Sequence, residues 1–105
     1  MIEKVFSNLI GNAIKYSPKG ATIDIEACQR QEKWYFNIEN SGTHISEEAL
    51  PKIFEAFYRV EQSRSRKTGG SGLGLYIVQK ILQQHNSQCY VNNTEAGVRF
   101  SFEIL

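Results

Sequence analysis

Asn8, Asn12 and Lys15 recur at i, i+4 and i+7, with Gly11 between them and Tyr16 just beside. In a helix this spacing puts two carboxamides and an ammonium on one stripe, away from the apolar residues. A solvated polar face is one explanation. Helix surfaces favour Glu, Lys and Gln, however, and two Asn with a mid-helix Gly cost propensity without gaining charge pairs. A neutral carboxamide oxygen suits a Mg2+ ion whose charge is balanced by a polyphosphate. That ion takes few protein ligands and keeps water and phosphate oxygens for the rest of its shell. Lys15 would add a point charge for a phosphate. The second feature is Thr68-Gly69-Gly70-Ser71-Gly72-Leu73-Gly74-Leu75, which runs at once into the apolar Tyr76-Ile77-Val78 and Ile81-Leu82. Glycine this dense costs backbone entropy and is tolerated where Cβ atoms would obstruct something. Leading into a helix, it offers bare N–H groups and a positive dipole end to a phosphate, although a tight turn or a close packing point would also account for it.

The elements that must position these residues follow from apolar periodicity. Ile2, Val5, Phe6, Leu9, Ile10, Ala13 and Ile14 have helical spacing, which stops at the breaker Ser17-Pro18-Lys19-Gly20. Thr22 to Ala27 alternates, with Ile23, Ile25 and Ala27 on one face. Trp34, Phe36 and Ile38 alternate with Tyr35, Asn37 and Glu39, so the two runs read as an antiparallel strand pair. Asn40-Ser41-Gly42-Thr43 is expected to be a turn, and Ser46 to cap a short acidic helix start at Glu47-Glu48 leading toward Leu50 and Ile53. Glu61 to Ser71 is polar, basic and glycine-rich and reads as a loop. A second helix is expected from about Leu73 to His85, then a short strand at Cys89 to Val91. A last strand carries Val98, Phe100, Phe102 and Ile104 on one face. The order is helix, two strands, loop, helix, two strands: an α+β, two-layer sandwich with helices on one sheet face and no repeat or internal domain boundary.

Composition narrows the function classes. A chain of 105 residues with 41% hydrophobic and 11% aromatic content is one globular domain. A formal net charge of +1 gives no global field for nucleic acid or an anionic membrane, so any basic site must be local. The apolar runs are too short to span a bilayer, and the first residues do not read as a signal peptide. Cys28 and Cys89 form no CxxC pair and no metal cluster, which leads us to expect two buried free thiols in a reducing, cytosolic compartment.

The residues also carry a specific resemblance. Asn8-Leu9-Ile10-Gly11-Asn12-Ala13-Ile14-Lys15-Tyr16-Ser17-Pro18 resembles the asparagine box of sensor histidine kinases. Asn40-Ser41-Gly42-Thr43-His44-Ile45 sits where their first glycine box belongs. Ile53-Phe54-Glu55-Ala56-Phe57-Tyr58-Arg59 resembles their phenylalanine box, and Gly70-Ser71-Gly72-Leu73-Gly74-Leu75 their second glycine box. Gly97-Val98-Arg99-Phe100 is similar to the closing turn-and-strand element. The order and spacing match from about Ile2 to Ile104. The resemblance implies the ATP-binding catalytic domain of two-component histidine kinases, with the Bergerat-type fold of the gyrase and Hsp90 ATPases and helices on one face of a mixed sheet. On that pattern Asn12 would supply the Mg2+ ligand, Asn8 and Lys15 would lie near the phosphates, and Tyr16 beside the nucleotide. Asn40 holds the place of the residue that reads the adenine amino group, Gly42 would admit the base, and Ile45 would wall it. Tyr58 and Arg59 would lead into the loop that closes over ATP, with Arg59 offering a guanidinium to the triphosphate. Gly70, Gly72 and Gly74 would bring N–H groups to the phosphates while Leu73 and Leu75 anchor the following helix.

Departures and absences sharpen these expectations. The family's usual aspartate is Asn40 and its second glycine is His44, so nucleotide affinity should be weaker than in a standard member without being lost. Gyrase-type ATPases have a glutamate as general base where this chain has Asn8, which takes no proton at neutral pH, so the pocket should hold ATP without hydrolysing it. The phosphoacceptor histidine should lie on a separate helical hairpin domain, since neither His44 nor His85 resembles it. His44 reads as a turn residue and His85 as a residue at a helix end favouring the dipole. Family members have sheet strands before the asparagine helix, so the expectation is either that the sheet is completed from outside this chain or that the chain is a trimmed fragment. Its open edge would allow self-association. The expected setting is the cytoplasmic side of a membrane-anchored, homodimeric parent that phosphorylates a response regulator. The alternatives are a serine kinase of the anti-sigma-factor type and a non-catalytic nucleotide-binding regulatory module.

Overall fold

The computed structural model describes residues 2–56, 58 and 73–104. Helix α1 spans Ile2–Tyr16 and buries Val5, Leu9 and Ala13, one residue per turn on a single face. It ends where Pro18 cannot continue it, with the Ser17 N–H still bonded to the Ala13 carbonyl at 3.1 Å. Helix α2 spans Gly74–Gln84 and buries Val78, Ile81 and Leu82. Its end is a Schellman turn: Asn86 adopts φ 59°, the Ser87 N–H reaches the Leu82 carbonyl at 2.8 Å, and the Asn86 N–H reaches the Gln83 carbonyl at 3.1 Å.

Four strands, β1 (Ile23–Arg30), β2 (Lys33–Ser41), β3 (Tyr90–Asn93) and β4 (Gly97–Ile104), form a sheet of order β1-β2-β4-β3. Every described pairing is antiparallel, whereas a mixed sheet was expected. The reason is connectivity: β1–β2 and β3–β4 are hairpins, and β4 pairs with β2 in the same sense. Both helices lie on the face that carries Ile38, Val98, Phe100 and Phe102, all buried. Phe36 and Phe102 are cross-strand partners with centroids 5.2 Å apart, and Phe6 of α1 drops edge-on onto both, at 5.0 and 5.4 Å. The opposite face is polar, with Arg99 bonded to Glu39 at 3.1 Å and Ser101 donating to Asn37 at 2.7 Å.

Three local expectations differ from what is found. Asn40 and Ser41 are not a turn but the end of β2. Asn40 pairs with Ile23 on one side, and Asn40 and Ser41 pair with Val98 and Gly97 on the other, so the ladder persists through Ser41. The segment after Ser46 does open with a cap, the Ser46 hydroxyl accepting from the Ala49 N–H at 3.2 Å, but it amounts to a turn and a 3-10 helix at Leu50–Lys52. Cys28 is exposed, because its position in the alternation puts it on the polar face of an edge strand; only Cys89 is buried. Both thiols are free.

Candidate nucleotide site

Two polar features far apart in sequence meet at the start of α2. The Asn8 carboxamide on α1 donates through Nδ2 to the Gly74 carbonyl at 3.3 Å. The polar stripe of α1 therefore runs past the first turn of α2. That turn has no side-chain cap on Leu73 and no acidic residue of its own, so it sets no carboxylate of its own against its leading N–H groups and positive dipole end. Among the described residues nothing lies within 4 Å of where a Gly74 Cβ would stand, so packing against them does not demand its smallness. Leu73 is half-buried and Leu75 packs against the core, anchoring the turn. One helical turn along α1, Asn12 is half-buried. At the far end, the Lys15 ammonium lies 5.4 Å from the Tyr16 ring centre.

The segment after β2 closes the other end. Asn40 is only 3% exposed, and no side-chain hydrogen bond among the described residues engages its carboxamide. Gly42 has φ +86°, a conformation that a Cβ makes costly, and a Cβ there would also approach Pro18 Cγ to 2.7 Å. The first glycine box thus seats on the proline that ends the asparagine box. His44 needs no glycine: it is absent from the positive-φ residues, and its Nε2 donates to the Thr94 carbonyl at 2.8 Å. Ile45 and Tyr58 pack against the core cluster. At about 1.5 Å per residue along α1, Asn8 and Tyr16 lie about 12 Å apart, which gives the site two separated ends. Of the residues expected to bind nucleotide, Arg59, Gly70 and Gly72 lie outside the described residues, as does the loop of Glu61 to Ser71.

His85 donates from Nδ1 to the Ile81 carbonyl at 2.8 Å, closing the end of α2 as expected. The residues that sequence reasoning missed are Asn93 and Thr94, which hold the Ile45 backbone and the His44 side chain from a hairpin about fifty positions later. An Asn-Asn-Thr run between two strands signals a turn, and nothing in it reveals which segment that turn will grip.

Residues 1–105 match the family model described as histidine kinase-, DNA gyrase B-, and HSP90-like ATPase. The sensor protein VanSB of Enterococcus faecalis is 43% identical over 104 residues, which is 99% of this chain and 23% of that protein. Among solved structures, the nucleotide-free catalytic domain of histidine kinase ThkA superposes with a TM-score of 0.83 at 36% identity, covering 98% of this chain and 64% of that one. ThkA in complex with the response regulator protein TrrA superposes with a TM-score of 0.78 at 34% identity, covering 98% and 28%. The chain spans 17–24% of the length of the curated relatives it matches. With the family model matched end to end, the chain belongs to the histidine kinase-, DNA gyrase B- and HSP90-like ATPase family, as an ATP-binding domain of the sensor histidine kinase type.

Proposed function

We propose that this domain holds Mg-ATP between the polar stripe of α1 and the start of α2, and donates the γ-phosphoryl group to a histidine on a separate helical hairpin domain of its parent. In that transfer the bond from the γ-phosphorus to the bridging oxygen breaks, a bond to an imidazole nitrogen forms, and ADP leaves. A response-regulator aspartate is the next acceptor. The observation that carries the reading is the Asn8–Gly74 bond, which joins the asparagine helix to the glycine-flanked helix start across 66 positions. Phosphoryl transfer asks a protein mainly for positioning and charge neutralisation, and these groups are of that kind.

The donor set fits a lightly ligated Mg2+. Among the described residues no cluster of three or more His, Cys, Asp or Glu could hold a metal ion, so Asn12 would supply a single carboxamide oxygen and the remaining ligands would be water and phosphate. Such an ion supplies charge neutralisation on the phosphates. Lys15 and Arg59 would add cationic contacts, and Gly70, Gly72 and Gly74 backbone donors. At the base end Asn40 faces the adenine amino group, Gly42 leaves room for the ring, and Ile45 and Tyr58 enclose it, with Tyr16 alongside. Asn8, a carboxamide already donating to Gly74, provides no base for water. Among the described residues no helix is long and apolar enough to cross a membrane. The setting that suits this reading is the cytoplasmic side of a membrane-anchored homodimer.

Titration with a non-hydrolysable ATP analogue and Mg2+ tests the site. Asn40→Asp should bind roughly fivefold tighter, the gain of charge assistance in one hydrogen bond, and Asn12→Ala should lose the Mg2+ dependence. An Asn40→Asp that binds no tighter removes the adenine assignment. Supplying the hairpin domain with labelled ATP should yield phosphohistidine; binding without transfer would make the domain a regulatory module instead.

A further inference from the structure

The segment from Gly42 to Ile45 is held by a distant hairpin. The Gly42 N–H donates to the Ala96 carbonyl at 3.0 Å, and His44 Nε2 donates to the Thr94 carbonyl at 2.8 Å. Asn93 then takes both backbone groups of Ile45. Its Oδ1 accepts from the Ile45 N–H at 2.9 Å, and its Nδ2 donates to the Ile45 carbonyl at 2.7 Å. One carboxamide thereby does what a neighbouring strand would do for a residue that has none. The clamp is itself anchored. Asn93 pairs with Val98 in the β3–β4 register, and the Thr94 hydroxyl accepts from the Gly97 N–H at 3.0 Å while donating to Glu39 at 2.6 Å. Arg99 secures Glu39 from the other side at 3.1 Å.

We infer that Asn93 is a positioning residue for nucleotide binding, fixing Ile45 and with it the wall against the base. The inference rests on the proposed placement of adenine beside Ile45. A loop with both polar groups of a residue tied from outside has little ordering left to do when ligand arrives, so the clamp raises affinity without touching the ligand. Its effect must be confined to the base end, since Asn93 has no link to Asn12 or to the start of α2 among the hydrogen bonds described.

The experiment compares an Mg-bound, non-hydrolysable ATP analogue with Mg-tripolyphosphate, which lacks the base. Asn93→Ala should weaken the nucleotide roughly tenfold, as two neutral hydrogen bonds that preorganise a loop would allow, and leave tripolyphosphate unchanged. Ile45→Ala, measured alongside, should weaken the nucleotide in the same selective way. If Ile45→Ala weakens the nucleotide but Asn93→Ala does not, the clamp is overturned and the site stands. Equal loss of both probes in Asn93→Ala also overturns it, as the mark of a merely structural role. An unchanged affinity in Ile45→Ala overturns the site reading and the clamp with it. Should Asn93→Ala fail to fold, Asn93→Ser is read by the same criteria.

Discussion

Gly97 shows how strict a single position is in this fold. A Cβ there would overlap the carbonyl oxygen of Asn40 and stand 2.8 Å from its carbonyl carbon and 2.9 Å from Ser41 Cα, so β4 can approach β2 here only without a side chain. Gly97→Ala must push the backbone of Asn40, the residue proposed to face the adenine. We expect a loss of about 1–3 kcal/mol in urea unfolding, the usual cost of forcing extra atoms into a packed site, accompanied by weakened nucleotide binding. Gly11 is the opposite case. It lies mid-helix on α1, exposed, with nothing within 4 Å of a Cβ. Gly11→Ala should therefore stabilise the domain by about 0.5–1 kcal/mol in the same assay. No change in stability would show that α1 is strained at that point. The two glycines look alike in sequence, and only the approach of β2, set by pairing across the sheet, separates them.

Among the elements, the periodic ones are legible in the amino-acid sequence: both helices, all four strands and their order along the chain follow from apolar spacing. What is not legible there depends on neighbours. β1 carries an apolar face, yet Ile25 is 51% exposed because the strand is at the sheet's edge, beyond the cover of the helices. Periodicity reports which residues share a face and is silent on whether anything packs there. The β1–β2 turn is a second instance, since Gln31 and Glu32 both take positive φ, at 50° and 73°, in a two-residue connection that favours Asn-Gly. Glu32→Gly should raise hairpin and domain stability by about 1 kcal/mol; a lower melting temperature would mean that the Glu side chain makes up for the strain. Helix α2 is tied to the residue just before β3 by another carboxamide clamp, Gln79 bonding both the N–H and the carbonyl of Cys89, at 2.7 and 3.1 Å. Burial pushes the Cys89 thiol up to about 12 from its ordinary 9.0. A raised folded value means that the thiol's stabilising contribution is complete below about pH 9 and is lost as pH climbs toward 12, because the unfolded chain ionises first. Urea unfolding between pH 8 and 10.5 should show a downward slope that Cys89→Ala lessens. At neutral pH under native conditions, iodoacetamide should label one thiol, Cys28, with Cys89 reacting after denaturation.

At the scale of the whole molecule, β1 and β3 are the outer strands of the sheet among the described residues, and Ile25 on β1 is 51% exposed. An outer strand that exposes an apolar side chain is a template for further pairing. Light scattering at rising concentration should therefore show this chain associating, and Ile25→Lys should hold it monomeric; a clean monomer throughout would rule the edge out as a contact. The contact between Gly42 and Pro18 carries a different consequence, one for recombination. Four motifs that scan as separate signatures are fitted to one another in pairs: Pro18 against Gly42, Gly97 against Asn40, Asn8 against Gly74. Chimeras that exchange a single motif between relatives would break a fitted pair each time, so crossovers should survive best where both halves of a pair come from one parent.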